Sequence, residues 1–193
     1  MTEQHEQQPR NEQGRETRPR LYVASLADYN AGRLHGVWMD AVQEPEQLEA
    51  EIAAVLERSP CPGAEEWAIH DYEGFGPIAL SEHESLERVA RIARGIAEHG
   101  LAFAAWVCIC DKDDDALDRF EDAYFGSWAN LEQYAQELLD DVSIEKSLEE
   151  LPGWIQPYVK VDVEGLARDL ELGGDITSVD SPDGSVWVFD GHG

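Results

Sequence analysis

Apolar residues along the 193-residue chain follow two rhythms, and the switches between them outline the expected elements. Leu21, Tyr22 and Val23 form a strand-type run within residues 20–26, and Val37, Trp38 and Met39 form a second within 35–41. Between them Asp28, Tyr29, Asn30, Ala31 and Gly32 have the composition of a turn or loop. Pro45 suits the first turn of a helix, after which Leu48, Ile52, Val55 and Leu56 recur at helical spacing until Ser59-Pro60 and Pro62-Gly63 stop the run. Trp67, Ala68 and Ile69 predict a third strand within 65–72. Ser81 and Glu84 then have capping-box spacing, and Leu86, Val89, Ala90, Ala93 and Ala97 follow on one helical face. Gly100 interrupts before the apolar run 101–110, which is a buried helix or strand and too short for a membrane span.

An acid-dense stretch, 111–122, follows, and Gly126 closes that region. From Asn130 a helix is predicted, with Leu131, Tyr134, Ala135, Leu138, Leu139 and Val142 forming one apolar stripe. Asp162 is a candidate cap for a further helix carrying Val163, Leu166, Ala167 and Leu170, ended by Gly173-Gly174. Residues 176–179 and 186–189 read as a hairpin around Ser181-Pro182-Asp183-Gly184. The pattern predicts an α+β protein of three small consecutive domains. These are strands plus a helix over 20–80, a helical middle over 81–126, and helices plus a β-hairpin over 127–193. Residues 1–19, rich in Gln, Glu and Arg, are expected to be a disordered extension.

Charge changes the picture more than any motif. Forty-one acidic residues face 14 basic ones, a formal net charge of −27. Residues 1–20 are neutral, with four of each sign; 21–110 carry 15 acidic and five basic residues, and 111–193 carry 22 and five. The excess is therefore −10 and −17 on the two foldable stretches, where it raises self-repulsion and attracts surfaces built for polyanions. Direct nucleic-acid binding is excluded, because no basic patch exists to neutralise phosphates. No membrane-length apolar run and no secretory leader pattern is present, so a soluble, cytoplasmic protein is expected. Cys61, Cys108 and Cys110 lack disulfide or zinc spacing and suit small core residues in a reducing compartment.

Catalytic chemistry finds no foothold. There is no GxSxG, Walker loop, GxGxxG or HExxH, so no enzyme and no cofactor is expected. His70 and His83 beside Asp71 and Glu84 suit hydrogen-bonded structural roles. The best metal candidate is 111–122, with acids at the first, third and fifth positions of a would-be calcium loop. Ala116 stands where the sharp turn needs Gly, and Asp122 replaces the bidentate Glu, so no metal site is assigned. Two readings of the acid remain: a solvated face that aids solubility, or carboxylates that imitate phosphates. Duplex DNA carries one charge per ~1.7 Å, so 27 excess charges match roughly 46 Å of duplex.

Five segments, in order and spacing, resemble the ArdA antirestriction family. They are LYVASLADYNAGRLHGVW (21–38), EWAIHDYEGF (66–75), FEDAYFG (120–126), YAQEL (134–138) and ARDLELGGD (167–175). The resemblance implies an elongated, curved α+β protein of three small domains, usually a homodimer. It implies a non-enzymatic inhibitor carried on mobile genetic elements. The inhibitor imitates bent B-form DNA and occupies the DNA-binding groove of type I restriction–modification enzymes. Its target is the methyltransferase core of specificity and modification subunits; restriction, and often modification, is blocked. The family's antirestriction motif corresponds to 130–145 here, and its dimer contact uses this region, which makes Tyr134 and Leu138 candidate interface residues. The chain departs from the family in residues 1–19 and in the dense acid of 111–115.

The candidate DNA-mimic surface is Asp111, Asp113, Asp114, Asp115, Asp118, Glu121 and Asp122, joined by Glu132, Glu137, Asp140 and Asp141. The alternative is an acidic interaction module for another basic DNA-binding protein; a calcium-binding regulator using 111–122 is a third class.

Overall fold

The computed structural model describes residues 18–111 and 113–192. Apart from Arg18 and Pro19, the extension expected over 1–19 lies outside the described residues. The chain divides into two compact units, one ending at Gly100 and one spanning Leu101–Gly193. The stretch expected to form a helical middle domain, 81–126, falls on both sides of that division.

The first unit is built on an antiparallel sheet in which β1 (Arg20–Ser25) lies between β2 (Gly36–Asp40) and β3 (Trp67–Glu73). Val23 pairs with Val37 on one side and Ile69 on the other, with a register shift between Tyr22 and Val23 on the β3 side. Gly36 is required by that pairing: a Cβ there would stand 2.6 Å from the Val23 carbonyl oxygen. Helix α2 (Pro45–Glu57) starts at the expected proline and packs on β1 and β2, burying Leu48, Ile52 and Val55. Each fully buried aliphatic of this set contributes about 1.5–3 kcal/mol of transfer free energy. Helix α3 (Leu86–His99) packs against α2. Ser81 and Glu84 form half of the expected box, the Ser81 N–H donating to the Glu84 carboxylate at 3.3 Å while the Ser81 hydroxyl accepts from the His83 N–H, and the helix starts later. Its cap is Ser85, whose hydroxyl accepts from the Arg88 N–H, and its buried face is completed by Ile92 and Ile96 rather than by the exposed Ala97.

Residues 28–32 correct part of the sequence reading. Ala31 and Gly32 form the expected turn, but 28–30 belong to α1 (Leu26–Asn30), capped by the Ser25 hydroxyl, which accepts from the Asp28 N–H at 3.3 Å. Asp28 is completely buried and accepts a 2.5 Å hydrogen bond from the Ser59 hydroxyl. Its other carboxylate oxygen faces the Arg33 guanidinium at 3.8 Å. The Ser59 bond, with help from Ser25, Cys61 and His35, holds its carboxyl below the usual range against the opposing effect of burial. A depressed pKa means stability that is present above the ordinary Asp range and lost as pH falls through the folded value. Asp28→Asn is therefore expected to lower the melting temperature by about 5 °C at pH 7. The gap from wild type should narrow below about pH 4, which melting curves at pH 7 and pH 3 check. A gap independent of pH would contradict the assignment.

The second unit opens with α4 (Leu101–Ile109), which buries Phe103 and Trp106 among small residues and settles the apolar run as a helix. A single 3-10 turn (Asp115–Arg119) and α5 (Phe120–Ala123) lead into β4 (Tyr124–Trp128). That strand was hidden in the sequence behind Gly126, expected only to close its region. Gly126 has φ +118° at a register shift between Tyr124 and Gly126, so it bends a strand instead of ending one. β4 pairs antiparallel with β6 (Val186–Asp190), which pairs with β5 (Ile176–Asp180) across the expected turn. Helices α6 (Leu131–Asp141), α7 (Ile144–Glu149) and α8 (Val163–Gly173) complete the unit, with α8 packed on α6 and β5. Trp106, Phe120, Tyr124 and Phe189 make a ring cluster with centroids 5.1–6.4 Å apart. The three cysteines are free thiols, and none fills the core as expected: Cys108 is exposed, and Cys61 and Cys110 are half-buried. No helix among the described residues is long and apolar enough to cross a membrane.

Candidate functional site

The acidic stretch is shaped by the apolar residues threaded through it. The Trp106 indole N–H donates to the Ala116 carbonyl at 2.9 Å and pins the 3-10 turn to α4. Ala116, Leu117, Phe120 and Ala123 are buried. That pattern leaves Asp115, Asp118, Glu121 and Asp122 facing solvent. Asp111, Asp113 and Asp114 are exposed as well. One oxygen of Asp113 accepts from the Asp115 N–H at 3.0 Å, and the other meets the Arg119 guanidinium at 3.2 Å. Arg119 thus neutralises part of the charge it sits in. A calcium loop would need these oxygens turned inward together. No three acids of 111–122 bring their carboxylates within metal-ligand range of one another among the described residues. Burial pushes the nearby Cys110 thiol up to about 11, an effect that Asp113 reinforces and Arg119 opposes.

Helix α6 is turned by its aromatic side. The Asn130 side chain accepts from the Gln133 N–H at 2.9 Å and fixes the start. Tyr134 is 8 % exposed and lies in a core cluster with Ile176 and Val188, against which Trp128, Leu131, Leu138 and Leu170 pack. Its ring meets Phe125 and Trp128 at centroid distances of 6.2 and 5.6 Å. Burial, reinforced by the Asp190 charge, raises the Tyr134 phenol above its usual range. With the helix advancing about 100° per residue, Glu132, Glu137 and Asp140 fall on the half opposite this stripe, while Asp141 follows Tyr134 by two turns and is exposed only at the helix end. All four are exposed, and Asp140 accepts from the Gln136 amide at 2.8 Å. Tyr134 and Leu138 therefore serve the core of this unit. Val142, placed in the same stripe by spacing, is instead exposed beyond the helix end.

Every acid singled out in the sequence thus belongs to the second unit and is exposed there, on the turn 111–122 or on α6. Sequence reasoning passed over a third carrier. Helix α8, capped by Asp162 and packed on α6, exposes Glu164, Asp169 and Glu171. The same helical periodicity that singled out α6 would have found them. Cβ atoms three or four positions apart on such helices are ~5–6 Å apart, a spacing as fine as that of a charged polymer backbone. His70, expected in a structural role, packs edge-on against Tyr29 at 4.7 Å.

A family model described as antirestriction protein (ArdA) matches residues 21–182 of this chain. A search of curated proteins finds no match.

Proposed function

The chain belongs to the ArdA family of antirestriction proteins, and from that membership we propose that its acidic second unit works by imitating the phosphates of DNA. The proposed target is the DNA-binding groove of type I restriction–modification enzymes, on the methyltransferase core of specificity and modification subunits. Lysine and arginine side chains that hold phosphates there would be held by carboxylates instead.

One observation carries this reading. All eleven acids picked from the sequence are exposed, on elements whose opposite sides are fixed by apolar packing. The second unit holds 22 acidic against five basic residues. Binding of this kind is steered by charge, fast and weakened by salt. It is indifferent to DNA sequence, because phosphates carry no base code. No catalytic step is proposed. The family resemblance adds an elongated, dimeric, cytoplasmic protein carried on mobile elements. We extend these properties to this chain as proposals, with sedimentation and small-angle scattering as their checks.

The functional test is a plating assay. Unmodified phage should infect a host with a type I restriction system at least tenfold better when this protein is expressed. Unchanged plating across several type I enzymes would instead favour an acidic partner of some other basic DNA-binding protein.

A further inference from the structure

We propose that Trp154 and Tyr158 form a second contact for the basic partner, a pair of aromatic faces that receive its arginine side chains. This rests on the reading of a basic protein partner given above. The two rings are 75 % and 83 % exposed, although Trp and Tyr are the side chains that folding and binding most often bury. Neither takes part in any ring contact among the described residues. They are nonetheless not on a slack segment. The Ile155 N–H donates to the Pro152 carbonyl at 2.8 Å, and the Tyr158 N–H donates to the Ile155 carbonyl at 2.9 Å. The Gln156 side-chain amide donates to the Glu149 and Leu151 carbonyls at 2.9 and 2.8 Å, tying the turn to the end of α7. Pro152 and Pro157 remove further backbone freedom. The aromatics are therefore held out in advance, and ordering them costs little on binding.

Charge chooses the occupant. The turn is tied through the Glu149 backbone carbonyl to the end of α7 and is followed by Lys160 and Asp162, in a unit whose net charge over 111–193 is −17. An acidic surface disfavours an acidic or neutral partner and attracts a cationic one. Guanidinium is the cation that suits exposed rings in an acidic unit. Its plane stacks on an aromatic face while its edge donates to a carboxylate, and it is less strongly hydrated than ammonium. The carboxylates of α6 and α8 would then supply the long-range attraction. Trp154 and Tyr158 would supply short-range contact that survives in salt.

Titration of a purified type I methyltransferase core with wild type, the double variant W154A/Y158A and the double variant W154F/Y158F tests this, at low and moderate salt. Inhibition by W154A/Y158A should weaken by about tenfold or more. Its salt slope should stay as in wild type, since no charge is removed. W154F/Y158F should keep inhibition within about threefold, because a ring face remains. Equal inhibition by wild type and W154A/Y158A overturns the proposal. So does weakening accompanied by a change of oligomeric state in sedimentation, which would mean that a second copy of this chain covers the rings. Failure of wild type to inhibit at any salt removes the basic-partner reading as well, and so is told apart from failure of the aromatic contact alone.

Discussion

Converting Glu132, Glu137, Asp140 and Asp141 together to their amides is expected to weaken inhibition of a type I enzyme by about a hundredfold. That follows from ~0.7 kcal/mol for each exposed charge pair, summed over four and taken at 1.4 kcal/mol per factor of ten. Single replacements should then cost only about threefold each, close to the scatter of an assay. The quadruple variant should also be less sensitive to salt, its slope falling by roughly one for each engaged charge removed. Folding is not the confounder here. All four side chains are exposed, and the buried Tyr134 and Ala135 are untouched. Losing Glu132 from the first turn removes about 0.3–1 kcal/mol of favourable interaction with the helix dipole, and relief of self-repulsion offsets part of that. Full inhibition by a quadruple variant with an unchanged melting curve would remove α6 from the interaction surface.

The second large effect concerns stability. Trp106→Ala is expected to cost about 3–5 kcal/mol, the usual penalty for deleting a buried aromatic ring. Trp106 is fully buried, stacks on Phe189 at 5.7 Å and supplies the indole N–H that holds the Ala116 carbonyl. For a unit of this size that is a fall of at least ~12 °C in melting temperature. The loss should not be uniform. Backbone amides of the turn from Asp115 to Arg119 should exchange hydrogen faster than the β5–β6 ladder, because their anchor to α4 is gone. Trp106→Phe fills most of the space but cannot donate the hydrogen bond. It should keep most of the stability while retaining faster exchange in the turn. Equal protection of that turn in wild type and Trp106→Phe would show that the indole N–H does not anchor it.

Much of this architecture was legible in the residues because periodicity and burial agreed. The strands around Val23, Val37 and Ile69, the helix from Pro45 and the hairpin around Asp183-Gly184 were all readable. In each, apolar spacing and turn chemistry point the same way. The misreadings have local causes. Residues 28–32 look like a loop because Asp28, Asn30 and Gly32 favour turns, but a capping serine and burial of the Asp28 carboxylate make one helical turn over 26–30 more favourable. β4 was missed because Gly126 usually punctuates, whereas a bulge uses its positive φ inside a strand. The Ser81–Glu84 contact formed without starting a helix, since Ser85 offers an equally good cap directly against the apolar face.

For the candidate site, the sequence gives the sign and amount of charge but not its direction. Spacing alone could place Glu137 beside Asp140 and Asp141, and Glu132 on the same helix, because α6 relates them. It could not place α8 on α6, which adds Glu164, Asp169 and Glu171. Nor could it separate Tyr134 as a core residue from Trp154 and Tyr158 as exposed ones, since all three are aromatics in the same acidic half. That distinction depends on long-range packing against Ile176 and Val188.

Competition between this protein and duplex DNA for a purified type I methyltransferase core tests phosphate imitation most directly. The account predicts that DNA of any sequence displaces the protein, that occupancy by the two is mutually exclusive, and that affinity drops steeply as salt rises from about 50 to 200 mM. Simultaneous binding of protein and DNA, or an affinity indifferent to salt, would contradict it.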